Sequence, residues 1–385
     1  MKYYLFIISV IWVCACSNPT ANNQLNSNTV ISDEKTTLVP IDTLHIKIGE
    51  KTNIYSNYMS FKEIKGEPYL GIVNEGNNYL EFYHLTDSAQ GFNIYFERKG
   101  PENLGVLKGF EILSDSLLII AGSNRSQIMV SDFNGEIKRV IKTDIARNNN
   151  PVVQIYYSQQ PLVYNDFKDE IYIFSRVDTD YRKPGLWSGT SFLNVRNSSD
   201  EVTHIFNLPE HLANYVHGAY FSHGSHVLAK QRYLILSIPF LKNILILDTQ
   251  AGEILEKFAG SKYFGDVYSW DNPVDDKHEQ FYVESNSYRE LIYDKDNELL
   301  YRLAYRGLDY VDIDGERRNW DNKVPSIIIL NKYFDKIGEF DIPANTFYTR
   351  NFFVFNGKLY LSTNHPDNNP SENIMVFVGF KPMAI

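Results

Sequence analysis

FEILSDSLLIIAGSNRSQIMVSDFNGEIKRVI, Phe110 to Ile141, holds four short apolar runs separated by polar breaks. Ser114-Asp115 and Phe133-Asn134-Gly135 are too short for anything but tight reversals, and Gly135 suits a turn position that needs positive φ. The runs are rich in Ile, Leu and Val and have the length of strands rather than helices. Four strands joined in this way make one antiparallel meander.

The same pattern recurs on both sides. PYLGIV at Pro68, SLLIIA at Ser116, EIYIFS at Glu170, RYLILS at Arg232, ELLYRL at Glu298 and KLYLST at Lys358 repeat at intervals of 48 to 66 residues. Before several of them lies another strand and a polar turn, as in LIYD-KDN before Glu298 and FFVF-NG before Lys358. After them comes a strand-turn-strand unit such as ILILD-TQAG-EILEKF. A four-stranded meander repeated in this way is the blade of a β-propeller. The expectation is an all-β, six-bladed β-propeller with four antiparallel strands per blade. Lys142–Tyr164 and Ala259–Ser287 are each long enough to hide a seventh blade, and a pair of β-sandwiches is the competing architecture. The last repeat ends after its third strand, NIMVFVGFKPMAI. IDTLHIKI, Ile41 to Ile48, alternates apolar and polar residues and supplies the missing strand, so the ring closes on itself without an open edge.

KGPENLGVLKGFEILSDSLLIIAGSNRSQIMVSDFNGEIKRVI, Lys99 to Ile141, resembles a segment of NHL-like six-bladed propeller lipoproteins of Gram-negative bacteria. In those proteins a Gly-Pro turn precedes a strand ending Asp-Ser, a second strand and an Asp-x-x-Gly turn. Here Gly100-Pro101-Glu102-Asn103 lacks the second Gly of the commoner pattern. The family is mostly one of unknown function, so the resemblance implies a fold and little chemistry.

The amino terminus reads as an address. Lys2 and the apolar run Tyr3–Val13 form an export signal too short to span a bilayer. The following V-C-A-C resembles a bacterial lipobox, which implies that Cys16 is acylated and that Cys14 leaves with residues 1–16's signal segment. No thiol then remains for a disulfide or for catalysis. Residues 17–40 are rich in Asn, Ser and Thr and read as a tether, leaving 41–385 for the propeller. Ser17-Asn18 is not an acidic export signal, so the expected location is an outer-membrane lipoprotein facing the periplasm, with the cell surface left open.

Lys and Arg number 37 against 47 Asp and Glu, a net charge of −10, which argues against a nucleic-acid partner. In a blade with strands A to D, the A–B and C–D turns share one face and the B–C and D–A connections the other. All long segments, such as Ser175–Ser191, Pro209–His226 and Ala304–Val324, fall in the second class. That face is the expected binding face. Its ligand-binding candidates are Trp187, Tyr215, His217, Tyr220, His223, Trp270, Tyr305, Arg306 and Trp320, the residue types that anchor interfaces or stack on sugars. Packing of the loops onto the sheet is the alternative for each.

His211, His217, His223 and His226 lie in one loop without strong zinc spacing. DYVDIDGERRNWD, Asp309 to Asp321, partly imitates a calcium loop through Asp312, Asp314 and Asp321, but Tyr310 stands where the first carboxylate belongs. No metal and no cofactor is implied. G-x-S-x-G, H-E-x-x-H and phosphate-loop motifs are absent from the sequence, and no catalytic residue is assigned. The leading functional expectation is a lipid-anchored binding module for a protein or glycan. The alternative is a glycan hydrolase or lyase acting at the central channel.

Overall fold

The computed structural model describes residues 35–385 except 88–89, 101–103, 125, 146–151, 155, 179, 185–186, 188, 210, 213–215, 268 and 271–276. The signal, Cys16 and most of the tether lie outside the described residues, as does Tyr215.

Six sheets follow one another around a ring. The first is β2 (Met59–Ile64), β3 (Glu67–Asn74), β4 (Tyr79–His84) and β5 (Gly91–Tyr95), and the second is β6 (Leu107–Ile112), β7 (Leu117–Gly122), β8 (Gln127–Asp132) and β9 (Ile137–Lys142). In the third the innermost strand is split into β10 (Val152–Gln154) and β11 (Val163–Asn165), followed by β12 (Glu170–Val177), β13 (Ser191–Arg196) and β14 (Glu201–Ile205). The fourth comprises β15 (Ser225–Ala229), β16 (Tyr233–Ser237), β17 (Asn243–Asp248) and β18 (Glu253–Phe258). The fifth comprises β19 (Ser287–Asp294), β20 (Leu299–Arg306), β21 (Val324–Leu330) and β22 (Lys336–Asp341). The sixth takes β23 (Tyr348–Phe355), β24 (Lys358–Ser362) and β25 (Ile374–Ala384) from the end of the chain and β1 (Thr36–Lys47) from its start.

This is the six-bladed propeller read from the repeats, closed by the amino-terminal strand. β1 pairs antiparallel with β25 from Thr36↔Ala384 to Lys47↔Ile374, with one bulge at Pro40/Asp42. The strand therefore begins at Thr36, inside the segment read as tether. Among the described residues there is no seventh blade. Between 142 and 165 the described residues supply β10 and β11, the split inner strand of the third blade, and between 259 and 287 they carry a short helix, α1 (His278–Glu284), which the strand-only reading did not anticipate.

Blade packing explains the composition of the repeats. The second strand of each blade is covered on both faces by neighbouring blades, so it reads as an uninterrupted apolar run; in β16 all five residues are buried. Outer strands keep one face in water and alternate, as β9 and β18 do. Aromatic side chains fill the wedges between blades. Phe110 packs against Tyr58 and Phe82, with ring centroids 5.5 Å from each. Gly71 makes this possible, because a Cβ there would lie 2.3 Å from the Phe110 ring. Between the fourth and fifth blades, the fully buried Arg302 donates to Ser237 Oγ and to the carbonyls of Ile238, Leu241, Lys242 and Ala259. All its donor nitrogens are matched, so it is a structural strut.

Candidate functional site

The A–B turns, such as Lys65-Gly66 and Asn356-Gly357, and the short C–D turns lie on one face, and the long connections on the other. On the short-turn face the axis opens as a funnel of about 1360 Å³, walled by the ends of the inner strands with Lys62, Glu111, Tyr164, Lys230, Glu298 and Phe355. Two ion pairs and one hydroxyl bond lie along its wall. Lys62 lies 2.6 Å from Glu111, Lys230 lies 3.1 Å from Glu298, and the Tyr164 hydroxyl donates to Asp169 over 2.9 Å.

The funnel has a floor. Between β10 and β11 the chain turns back at Tyr157↔Gln160 and reaches across to other blades. The Ser158 amide donates to Asn57 O at 2.9 Å, and Ser158 Oγ accepts the Met59 amide at 2.9 Å. The His226 amide donates to Gln159 O at 3.0 Å, and its Nε2 lies 2.9 Å from Pro161 O. Leu162 N donates to the Tyr58 hydroxyl, which donates to Phe110 O over 2.7 Å. Burial brings the His226 pKa down to about 4, so its ring is neutral and Nε2 acts as donor.

Several of the loop-face candidates are placed in the packing beneath the loops. Trp187 is 2% exposed and sits between Phe174 and Phe240. His217 stacks on Phe240 with centroids 4.0 Å apart, and burial lowers its pKa to about 4. His223 is set edge-on to Tyr157. Trp270 stacks on Phe281 at 4.5 Å and meets His278 edge-on, holding α1 against its loop. The Arg306 guanidinium covers the Tyr263 ring at 4.3 Å. Asp312 caps its own turn by accepting the amides of Asp314 and Glu316, and Asp321 is not part of that turn. Among the described residues no three His, Cys, Asp or Glu side chains group as metal ligands.

Tyr305, Trp320, Tyr220 and Asp321 do converge, around residues the sequence did not single out. The inner strands of the fifth and sixth blades each break register at the long-loop end of the axis. Arg289 and Glu290 bulge out between Tyr288 and Leu291, and Thr349, Arg350 and Asn351 between Tyr348 and Phe352. Bulges of this kind re-aim side chains. Glu290, fully buried, accepts the Tyr305 hydroxyl at 2.7 Å, and Tyr305 also bonds Thr349 Oγ1 at 2.8 Å. Arg289 donates to the Tyr282 hydroxyl at 3.0 Å, with its Nε 3.6 Å from Glu290. Tyr220, on the rim, stacks on Tyr282. The Arg350 guanidinium lies 3.2 Å from the centre of the Trp320 ring, and Trp320 in turn meets Tyr348.

This cluster is incompletely satisfied. Arg350 Nε, Glu290 Oε1, Asp321 Oδ1 and Asn351 Oδ1 are all buried without a hydrogen-bond partner. Burial pushes the Asp321 carboxyl up to about 7 even though Arg350 and Arg289 pull it down. Burial, and then the neighbouring Arg289, hold Arg350 below the usual arginine value. Lys323 stands apart, since its ammonium donates to Tyr282 O, Ser285 O and Ser287 Oγ. The sequence did carry a trace of the site. SYRELIYD and YTRNFFVF place an arginine at the start of runs that otherwise read as inner strands, where a charge has no structural reason to be.

Residues 35–341 match the family described as a domain of unknown function, DUF4221. A crystal structure of a DUF4221 member from Bacteroides vulgatus superposes with a TM-score of 0.77 at 22% identity, covering 91% of this chain and 99% of that one. A Bacteroides fragilis protein named for its expected export superposes with a TM-score of 0.51 at 12% identity, covering 89% and 94%. No curated protein matches the sequence. The chain belongs to the DUF4221 family.

Proposed function

We propose that this DUF4221 propeller is a lipid-anchored module of the bacterial envelope that binds a glycan or protein partner on its long-loop face, without turning it over. One observation carries the binding reading: four buried polar atoms from two bulged inner strands and a loop are left without hydrogen-bond partners at one place. Buried polar groups are ordinarily paired, and an unpaired cluster is stable only if something else completes it. The anchor rests on the apolar run before V-C-A-C and on Cys16. Among the described residues no helix is long and apolar enough to cross a membrane.

Crosslinking on native membranes from cells that make the full chain tests both parts. Wild-type protein incorporates a clickable fatty acid and brings down one specific partner, whereas Cys16→Ala loses the label and leaves the membrane fraction. Recovery of nothing specific by the acylated protein would overturn the binding reading. Asp321, holding its proton up to about pH 7 beside Arg350, is the feature that favours a hydrolase or lyase instead. Release of smaller products from the partner during prolonged incubation would establish that second reading.

A further inference from the structure

We propose that Arg350 and Arg289 form the seat for the carboxylate of an acidic sugar, entered from the long-loop face beside Trp320 and Tyr220. This rests on the binding-module reading and adds the chemistry of the ligand.

Charge balance is the first argument. Two guanidinium groups are brought together by adjacent bulges, with Glu290, Asp321 and Asp367 as the acidic groups around them and Lys323 as a third cation. Arg289 and Arg350 repel each other in a site sheltered from water. A singly charged anion between them relieves that repulsion. A doubly charged phosphate would set two negative charges against Glu290 as well as Asp321.

Donor geometry is the second. Arg302 shows how this chain treats an arginine that serves only the fold, with an acceptor for each donor nitrogen. The Arg350 guanidinium instead lies 3.2 Å from the centre of the Trp320 ring, while its buried Nε has no acceptor. A guanidinium packed over a ring still has N–H groups to offer, and its planar fork matches a carboxylate in bidentate fashion. Asp321 Oδ1 is also unpaired, and in its protonated form the carboxyl can donate to a second carboxylate.

The rim gives the third argument. Tyr220 is 36% exposed, and Trp320 and Tyr55 are half-buried, so aromatic surface surrounds the seat. Rigid rings with an apolar face and a polar tip suit a pyranose, which has the same division. Tyr55 packs edge-on against Tyr348, fixing the rim to the sixth blade.

The test is calorimetric titration of the folded chain with a galacturonate trimer, a neutral galactose trimer, inorganic phosphate and an acetylated peptide with a free carboxyl end. The uronate trimer binds, and the neutral trimer binds roughly ten- to hundred-fold more weakly, the range set by losing a charged hydrogen bond. Arg350→Gln loses affinity by a similar factor, and Arg350→Lys, which keeps the charge but not the fork, falls between. Circular dichroism checks that both variants fold. If Arg350→Gln does not fold, Tyr220→Ala on the exposed rim takes its place and lowers uronate affinity. Equal affinity for charged and neutral trimers, an unchanged Arg350→Gln, or tighter binding of phosphate or peptide would each overturn the assignment. Partner recovery from native membranes is read separately, so a failure here is distinguishable from a failure of the binding-module reading.

Discussion

Arg302 and Arg350 sit one blade apart, and their surroundings assign them opposite roles. Around Arg302 the chain folds five acceptors, and burial lowers its pKa to about 9 without leaving a donor nitrogen unused. Arg350 has a ring beneath it and no acceptor at its buried nitrogen. The difference has a measurable counterpart in Asp321. An unfolded aspartate titrates near about 3.9, whereas Asp321 in the fold holds its proton to about 7 because burial disfavours its charge. Between these values the folded state binds more protons than the unfolded one. Stability therefore falls as pH rises through the window, and the penalty is complete above it. The groups facing Asp321 are Arg350 and Arg289 on the inner strands, Asp367 in the 3-10 turn 366–368, and Tyr55 and Tyr348. Asp321→Asn removes the titration. Its melting temperature should drop less than the wild type's between pH 5 and pH 8, and exceed the wild type's at pH 8; parallel curves would count against a raised Asp321.

At the scale of elements, closure depends on how closely β1 approaches the neighbouring blade. A Cβ on Gly338 in β22 would stand 1.9 Å from the Thr36 carbonyl oxygen, and backbone there cannot yield without moving the strand. Gly338→Val should cost about 2 kcal/mol or more by overpacking, seen as a lower urea midpoint. Tyr58→Phe should cost about 1–3 kcal/mol by stranding the Leu162 amide and weakening the tie to Phe110 O. A midpoint within error of wild type would refute that role for the hydroxyl. Blades and closure were legible in sequence because the physics is local. Two-residue turns such as Asn356-Gly357 and doubly covered strands such as β16 leave their marks within a few residues. The split inner strand of the third blade was not legible, since Ser158, Gln159, Gln160 and Pro161 interrupt the run and its partners lie in the first and fourth blades. The bulges were hidden for a related reason. Register belongs to a pair of strands, so the bulges at Arg289 and Arg350 show only once β20 and β24 are set beside their strands. The burial of Trp187 and His217 was hidden too, because exposure of a loop aromatic depends on how the loop folds back.

For the molecule as a whole, a ring whose blades touched only their neighbours would resemble a repeat array, able to lose one end before the other. Two features oppose this. β1 and β25 join the chain's ends, and 156–162 ties the third blade across the axis to the first and fourth. Unfolding should be a single transition, with tryptophan fluorescence and far-ultraviolet circular dichroism falling together; separate midpoints would show that blades melt independently. The entry point of β1 also has a directional consequence. As the outermost strand of the sixth blade it runs from the short-turn rim toward the long connections, so Thr36 marks where the preceding chain leaves the ring. An acyl group at Cys16 would therefore draw the short-turn rim toward the lipid headgroups. The funnel would open over the bilayer surface, and the arginine pair would point into the aqueous compartment, where a polysaccharide can reach it without the protein having to tip.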